Sequence, residues 1–318
     1  KQHIPCPGNQ SAFGAESLND VDFLYSSYGK GWHLDRVVFE RQLIERAEQE
    51  GVVLISGSSF DSVSEENGKW LVSTRCESNI HYIQADYLID ASGNSRALLR
   101  EFGIPVHKLD QLAARVAVFK VDQAHTDHRT MVESTQHGWW YTTALSDFRR
   151  VVMFFSDTSN YEFKRCGASE VLIDSLKKTN HIWPKLNSEI KPSFNNLGMS
   201  SNELSSLVPM SFLTKPAATT WSQRIQGAGW LAVGDSAMTF DPLSSQGIYT
   251  ALCSAEKAVK QIEELDQNGM LRSEVENSSY IEWAEHIFDT YIEERSLYYG
   301  TEKRWNEQKF WSCRHREL

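Results

Sequence analysis

The stretch at 229–248, GWLAVGDSAMTFDPLSSQGI, constrains this chain more than any other part of its sequence. Residues 230–233 predict a buried strand that ends at Gly234 and Asp235, and a loop then leads into a helix with apolar residues at helical spacing. A carboxylate at a strand end can accept hydrogen bonds from sugar hydroxyls, and glycine lets a flat ring or a pyrophosphate approach the backbone. A helix N-terminus favours negative charge. The pattern therefore predicts a nucleotide-type cofactor site.

A second string of the same form lies at 87–93, YLIDASG, where an apolar strand runs into Asp90 and Gly93. Alone, an acidic residue beside glycine is equally typical of an ordinary β-turn. Together with the first string, it indicates two adjacent parallel strands of one cofactor-binding sheet.

The third string, GKGWHLDR at 29–36, precedes a predicted helix over 35–50. Asp35 is a favourable N-cap. Arg36 then stands in the first helical turn, where the helix dipole disfavours a cation. An anionic ligand beside Arg36 would resolve that conflict, and a solvated surface position is the alternative.

The remaining pattern predicts a mixed α/β fold. We expect a short buried strand at 52–55, a β-meander around 67–68, a second and antiparallel sheet over 113–156, and helices over 169–178, 244–265 and 273–300. The tail at 305–316 is aromatic and basic, and either docks a partner or packs as a terminal helix.

Composition excludes several classes of function. The chain has 318 residues and a formal net charge of −10, which argues against binding of nucleic acid or of an anionic membrane surface. No apolar run is long enough for a transmembrane helix. Its five scattered cysteines include no C-x-x-C pair, which favours a reducing, cytoplasmic location over a disulfide framework or a zinc site. His125 and His128 have no further ligands nearby in the sequence, so we expect no metal.

These motifs, in this order, resemble those of FAD-binding flavoproteins of the para-hydroxybenzoate-hydroxylase-like type. Within that group the chain is similar to the halogenase-like branch, and especially to the flavin enzymes that modify tryptophan during maturation of quinoprotein amine oxidases and dehydrogenases. The segments that carry this resemblance are 28–36, 133–141 and 303–314.

The resemblance implies a set of cofactor contacts. Asp235 would lie near the ribityl chain or a phosphate, Asp90 and Gly93 near the pyrophosphate, and Arg36 near the cofactor. The isoalloxazine edge would be lined through the backbone by the residues that follow Gly234, namely Pro242, Ser245, Gln246, Gly247 and Ile248. Trp139, Trp140 and Tyr141 would form a substrate-pocket wall over the flavin, with ordinary strand packing as the alternative. No side chain is assigned a catalytic role.

The resemblance also predicts the domains. An FAD-binding domain, with a Rossmann-like parallel sheet and a β-meander, would comprise 1–105 and 220–270. An antiparallel-sheet substrate domain would comprise 106–219, and C-terminal helices 271–318. The family's opening β-α-β unit with Gly-x-Gly-x-x-Gly, which holds the ADP half of FAD, has no match here, so we expect it to be truncated, cleaved or disordered. If the unit is truly lost, we expect severely weakened FAD affinity.

The implied activity is monooxygenation. Flavin halogenases carry a Pro-Leu-Glu-Ser string and a catalytic lysine, whereas this chain has Ser244 where the glutamate would stand and no recognisable lysine. We therefore expect hydroxylation of an electron-rich aromatic ring through a flavin hydroperoxide. The substrate would be a tryptophan of a quinoprotein oxidase or dehydrogenase precursor, and the electron donor NAD(P)H or a reductase. A halogenase, a small-molecule flavin oxidoreductase and a non-catalytic, partner-binding flavoprotein remnant remain as alternatives.

Overall fold

The computed structural model describes residues 3–27, 29–121, 127–195, 208–275 and 277–315. Its strands are, in chain order, β1 (Ile4–Cys6), β2 (Gly8–Ala12), β3 (Asn19–Asp22), β4 (Gly31–His33), β5 (Ser59–Glu66), β6 (Lys69–Cys76), β7 (Asn79–Ala85), β8 (Leu88–Asp90), β9 (Val106–Lys108), β10 (Leu112–Lys120), β11 (Thr130–Thr135), β12 (Gly138–Leu145), β13 (Arg149–Asp157), β14 (Ser211–Pro216), β15 (Thr220–Ser222), β16 (Gln226–Gly227), β17 (Trp230–Ala232) and β18 (Met238–Thr239). Its helices are α1 (Arg36–Gln49), α2 (Ala97–Glu101), α3 (Tyr161–Arg165), α4 (Ser169–Leu176), α5 (Ile182–Asn195), α6 (Gly247–Gln267), α7 (Ser279–Gly300) and α8 (Lys309–His315).

Contacts divide the chain into two compact units. Unit 1 comprises Lys1–Val52, Gln111–Pro216 and Ser296–Leu318, and unit 2 comprises Val53–Asp110 and Ala217–Arg295. The domain limits given by the sequence concern cofactor and substrate binding, and they stay a prediction.

Unit 1 is built on a seven-stranded sheet in the order β14-β10-β13-β12-β11-β2-β3. Its neighbours pair antiparallel except for β11 and β2, which pair parallel. One face of the sheet carries alternating apolar residues, such as Trp140 and Phe154, that pack under α3, α4 and α5. Leu176 of α4 is among the buried helix residues that cover this face. Alternation of this kind places one face of each strand in the core. The predicted antiparallel sheet is confirmed.

Unit 2 contains two further sheets that bear on function. Strands β5, β6 and β7 form the predicted antiparallel meander. Strands β8 and β17 pair in parallel, with Asp90 opposite Ala232, as the two sequence strings predict. Trp70 connects the two sheets, because its indole N–H donates to the carbonyl oxygen of Gly229 at 2.7 Å. Leu99 and Leu231 lie at the centre of this unit's core.

The strand expected at 52–55 is not formed. These residues are extended loop, and Val53 is 84% exposed. No strand in the described ranges pairs with them, so the apolar run has no sheet to join. The preceding helix is formed as predicted: α1 begins after Asp35, whose carboxylate accepts from the Val38 N–H at 3.3 Å.

The predicted helices over 169–178, 244–265 and 273–300 correspond to α4, α6 and α7. The aromatic and basic tail is a packed terminal helix. In α8, Phe310 and Trp311 are buried, and Arg314 pairs with Asp157 at 2.8 Å. Within the residues described, no helix is both long and apolar enough to cross a membrane.

Acid should weaken unit 1 through Asp127. Burial acts to raise the pKa of this carboxyl, but hydrogen bonds from Arg129 and Lys185 outweigh burial and hold the pKa well below its ordinary value of about 4. A carboxyl with a depressed pKa stabilises the fold above its ordinary pKa, and that contribution is lost as the pH falls toward the folded-state value. We expect Asp127→Asn to lower stability at pH 6 and to flatten its decline below pH 4 in urea titrations. An unchanged acid profile would contradict this assignment.

Candidate functional site

The two parallel strands of unit 2 end in turns that Asp90 holds together. Asp90 is 3% exposed, and its carboxylate accepts from the Ser92 N–H and from the Leu98 and Leu99 N–H groups, at 2.9, 3.0 and 3.1 Å. It also accepts from the Ser236 hydroxyl, at 3.1 Å. Asp90 therefore shapes the turn and caps α2 with its own oxygens, so its contribution to a cofactor site is to position the backbone around Gly93.

Glycine is required at both strand ends. Gly93 has φ +66°, and a Cβ built on it meets no atom within 4 Å, so this turn borders open space. Gly234 has φ +56°, and its N–H donates to the Ser254 hydroxyl of α6 at 2.9 Å. A Cβ on Gly234 would lie 3.4 Å from that of Ala251. The turn after β17 thus lies directly against α6, as in nucleotide-binding strand–helix units.

Asp235 lies in this turn beside two residues of the other strand's turn. The Asn94 side-chain amide donates to its carboxylate at 3.3 Å. Arg96 is 7% exposed and donates to the Thr220 hydroxyl at 2.5 Å. Burial lowers the pKa of Arg96, and the negative charges of Asp235 and Asp90 oppose that shift. The turns therefore combine a partly exposed carboxylate with a buried cation.

Sequence reasoning missed Arg96. Its backbone is left-handed, with φ +47°, which is uncommon for a non-glycine residue and typical of functional turns. The available signal was an arginine three positions after Gly93, at the start of a helix.

The loop before α6 is held by a buried polar network. Asp241 is 1% exposed, its N–H donates to the Tyr291 hydroxyl at 2.8 Å, and its carboxylate accepts from the Leu243 N–H at 3.0 Å. Arg295 lies 3.7 Å from that carboxylate and 3.0 Å from that of Asp110. Tyr291 and Arg295, on α7, were not singled out from the sequence, because their contacts with Asp241 join residues fifty or more positions apart.

The first residue of α6, Gly247, is exposed. Ser245 is left-handed, with φ +55°, and turns the chain into the helix. Gln246 is the N-cap residue and makes no side-chain cap hydrogen bond. The first N–H groups of an α-helix, here those of Gly247, Ile248 and the next residue, have no carbonyl partner within the helix. A Cβ on Gly247 would meet nothing within 4 Å.

These residues fit FAD. Unit 2 brings together nine of the ten predicted cofactor-binding residues, namely Asp90, Gly93, Gly234, Asp235, Pro242, Ser245, Gln246, Gly247 and Ile248. A Cβ on Gly93 or on Gly247 would extend into open space, and the α6 N-terminus can stabilise an anionic ring or phosphate. Their contacts with the cofactor stay a prediction.

The tenth residue, Arg36, belongs to unit 1. Its side chain is 63% exposed and pairs with Glu40 at 2.6 Å, one turn along α1. Glu40 therefore offsets the unfavourable position of Arg36 in the first helical turn.

The three predicted substrate-pocket residues lie on β12 in unit 1. Trp139 is 1% exposed, stacks on Phe155 with ring centroids 3.9 Å apart, and donates to the Tyr299 hydroxyl at 3.0 Å. Trp140, on the opposite face, stacks on Phe154. Tyr141 hydrogen-bonds Thr130 and Thr143, and burial raises the pKa of its phenol. Their packing accounts for much of their apolar surface.

Trp140 also lines a cavity of about 380 Å³ in unit 1. Its wall combines aromatic rings with charged side chains of both signs, and includes Phe154, Glu162, Arg304 and Trp305. Arg304 lies 4.3 Å over the Trp305 ring. A cavity with this lining can accept an aromatic side chain, for which two rings and a cation are suitable neighbours.

Comparison with known proteins finds relatives along nearly the whole chain. A family model for tryptophan halogenases matches residues 8–318. The putative FAD-dependent oxidoreductase LodB of Marinomonas mediterranea is 26% identical over 313 residues, which are 98% of this chain and 78% of that protein.

Two solved structures share the fold. The myxobacterial chondrochloren halogenase CndH superposes with a TM-score of 0.76 at 18% identity, over 98% of this chain and 71% of that chain. The peptidyl tryptophan dihydroxylase QhpG, essential for tryptophylquinone cofactor biogenesis, gives a TM-score of 0.67 at 20% identity, over 98% of this chain and 64% of that chain. These likenesses confirm the mixed α/β flavoprotein fold and imply an oxidoreductase that uses FAD.

Proposed function

Because the chain belongs to the tryptophan halogenase family, we propose that it is an FAD-dependent monooxygenase that hydroxylates an electron-rich aromatic ring. The observation that carries this proposal is the open, uncapped N-terminus of α6 at Gly247, directly after a loop that Asp241, Tyr291 and Arg295 hold in place. FAD supplies oxygen activation when it is bound, and the protein supplies positioning and electrostatics.

The residues of unit 2 would bind the cofactor through distinct groups. The N–H groups of Gly247 and Ile248 would stabilise negative charge on the reduced ring. The carboxylate of Asp235, oriented by Asn94, would accept hydrogen bonds from the ribityl hydroxyls. The left-handed Ser245 would lie with its backbone at the ring edge, and the hydrogen bond of Asp241 to Tyr291 holds the loop before it.

The loop before α6, which contains Ser244, favours oxygen transfer over halogenation. Halogenation would need a side chain here that captures hypohalous acid, and Ser244 instead uses its hydroxyl to bond the carbonyl oxygen of Asp241 at 2.9 Å. Hydroxylation needs no such side chain, because an indole ring is electron-rich enough to attack an activated oxygen directly.

A tryptophan in a partner protein is the substrate that we propose. QhpG, with which this chain shares its fold, is by its name a peptidyl tryptophan dihydroxylase. The cavity lined by Trp140, Trp305 and Arg304 is large enough for an aromatic side chain presented on a peptide. The partner would be a quinoprotein oxidase or dehydrogenase precursor, and NAD(P)H or a reductase would supply electrons. The unpaired state of all five cysteines supports a cytoplasmic location.

The test is a reaction of the complete gene-encoded protein with FAD, a reductant, oxygen and the unmodified partner. We expect the partner to gain mass in multiples of one oxygen atom at a single tryptophan, with heavy oxygen incorporated from labelled O₂. The control is the same mixture with the reductant left out, which should leave the partner unchanged. No mass gain would contradict the proposal.

Three further measurements separate the alternative functions. A product that appears only with chloride or bromide would identify a halogenase. Turnover of a small molecule without oxygen would identify a dehydrogenase or reductase. Failure of the complete protein to change the absorption spectrum of FAD in a titration would identify a partner-binding remnant.

A further inference from the structure

One side of the cavity in unit 1 is built around a buried carboxylate, Glu302, in the segment between α7 and α8. Glu302 is 0% exposed, and its oxygens accept from the Gly14 N–H at 3.0 Å, from the Ser134 hydroxyl at 2.6 Å and from the side chain of Arg304. Burial acts to raise the pKa of this carboxyl, but the hydrogen bonds from Arg304 and Ser134 outweigh burial and lower it. Glu302 is therefore an anion in a fixed position, and it holds Arg304 in place.

Arg304 forms a two-point ion pair with this carboxylate. Its Nε donates to one oxygen of Glu302 at 2.9 Å and its Nη2 to the other at 2.5 Å, and Nη2 also donates to the Ser134 hydroxyl at 2.7 Å. The guanidinium lies 4.3 Å over the ring of Trp305, and that ring lies 6.0 Å from the ring of the buried Trp311. A planar guanidinium that is held along one edge and against one face keeps a single orientation.

One nitrogen of Arg304 is left for a ligand. Arg304 lines the cavity and its side chain is 24% exposed, yet Nη1 makes no hydrogen bond to any residue that the structure describes. A guanidinium only donates hydrogen bonds, so Nη1 needs an acceptor from the ligand. Because Glu302 compensates the positive charge, Arg304 offers the cavity a directed donor and not an unpaired charge.

The carboxylates in the cavity wall favour a neutral acceptor over an anionic one. Glu133 accepts from the three backbone N–H groups of 180–182, at 2.6 to 3.0 Å, and Glu162 accepts from the Ser175 hydroxyl and pairs with Arg165. Both carboxylates would repel an anionic ligand, whereas a neutral carbonyl oxygen meets no such repulsion.

The other two charged side chains of the lining, Glu16 and Lys178, are exposed and have opposite signs, so they offset each other. They therefore leave the preference for a neutral acceptor unchanged.

We propose that Arg304 is the specificity-determining residue of this cavity, and that its Nη1 donates to the carbonyl oxygen of a peptide group next to the substrate's aromatic side chain. The substrate ring packs against the aromatic part of the wall, to which Trp140, Phe154 and Trp305 belong. This inference rests on the proposed substrate, a tryptophan within a partner protein. Free tryptophan offers a carboxylate as the acceptor instead, and the experiment separates these two sources.

The experiment is calorimetric titration of the complete protein with three ligands that share the indole ring. N-acetyl-tryptophanamide ends in a neutral carbonyl, N-acetyl-tryptophan ends in a carboxylate, and 3-methylindole has no acceptor. We expect the amide to bind at least about fivefold more tightly than either of the others, which is the contribution of about one hydrogen bond. Hydrogen exchange of the unsubstituted protein should slow at 133–137 and 303–305 when the amide binds.

Arg304→Lys keeps a positive charge beside Glu302 and removes the Nη1 donor. We expect the affinity for the amide to fall about fivefold and the affinity for 3-methylindole to stay unchanged. The matched control is Arg115→Lys, because the Arg115 guanidinium lies 4.5 Å over the Phe163 ring in the same unit but is not part of the cavity wall. This variant should bind all three ligands as the unsubstituted protein does.

Three results with the unsubstituted protein would overturn the inference: an amide that binds no more tightly than 3-methylindole, an amide that binds no more tightly than N-acetyl-tryptophan, or unchanged exchange at 303–305. None of them needs a variant, so a folding defect of Arg304→Lys cannot obscure them.

The titration uses no FAD, reductant or partner, so its failure is distinct from failure of the proposed function. Ligand binding as expected, with no oxygen gained by the partner, would contradict the proposed function alone. Oxygen gain by the partner, with amide binding that Arg304→Lys leaves unchanged, would overturn the role of Arg304 alone.

Discussion

Replacing Gly247 by valine is expected to weaken FAD binding strongly without unfolding the protein. A Cβ at this position meets no protein atom within 4 Å, and valine is tolerated in a helix, so the protein alone has room for the new side chain. If the flavin occupies that space, the branched side chain excludes it. We expect FAD affinity to fall at least about 100-fold, which is about 2.7 kcal/mol. Flavin fluorescence titration measures the affinity, and circular dichroism verifies the fold.

Two further variants make the result interpretable. Gly247→Ala adds one methyl group and should give a smaller loss. Lys257→Val places the same branched residue at an exposed position of α6 and should leave FAD affinity unchanged. Unaltered binding by Gly247→Val would place the cofactor elsewhere and remove the main support for the proposed function.

Removing the carboxylate of Glu189 is expected to be the most destabilising single change in unit 1. Arg150 and Glu189 form a two-point ion pair at 2.6 and 2.8 Å, and their side chains are 0% and 1% exposed. Glu189→Leu leaves a buried guanidinium without its counter-charge. Breaking a buried pair from one side typically costs about 3–5 kcal/mol, which urea unfolding followed by tryptophan fluorescence would detect.

The double variant Arg150→Met with Glu189→Leu separates charge burial from packing. Replacing both partners by apolar residues removes the uncompensated charge, so we expect it to recover most of the lost stability. The exposed pair of Glu256 and Lys260 on α6 is the control, and Glu256→Leu should change stability little. A double variant as unstable as Glu189→Leu alone would show that the packing around the pair, and not its charge, dominates.

Local sequence determined several parts of the structure because their information lies within a few residues. Asp35 before an apolar-periodic segment defines the start of α1, and a carboxylate caps the helix regardless of what surrounds it. The apolar runs that end at Asp90 and at Gly234 form the predicted parallel pair, β8 and β17. By contrast, the apolar run at 52–55 predicts a strand but is exposed loop, because a strand also needs a partner and none of the described strands pairs with it.

The chain's own order of residues determined the class of cofactor site: a strand, a glycine-acid turn and a helix whose first N–H groups are available to an anion. Tertiary structure alone decided which side chains hold that site in shape. Arg96 reaches Thr220, and Tyr291 and Arg295 reach Asp241, across separations that no local pattern encodes. Hydrogen bonds and charges act through space, and distance along the chain does not predict distance in the fold.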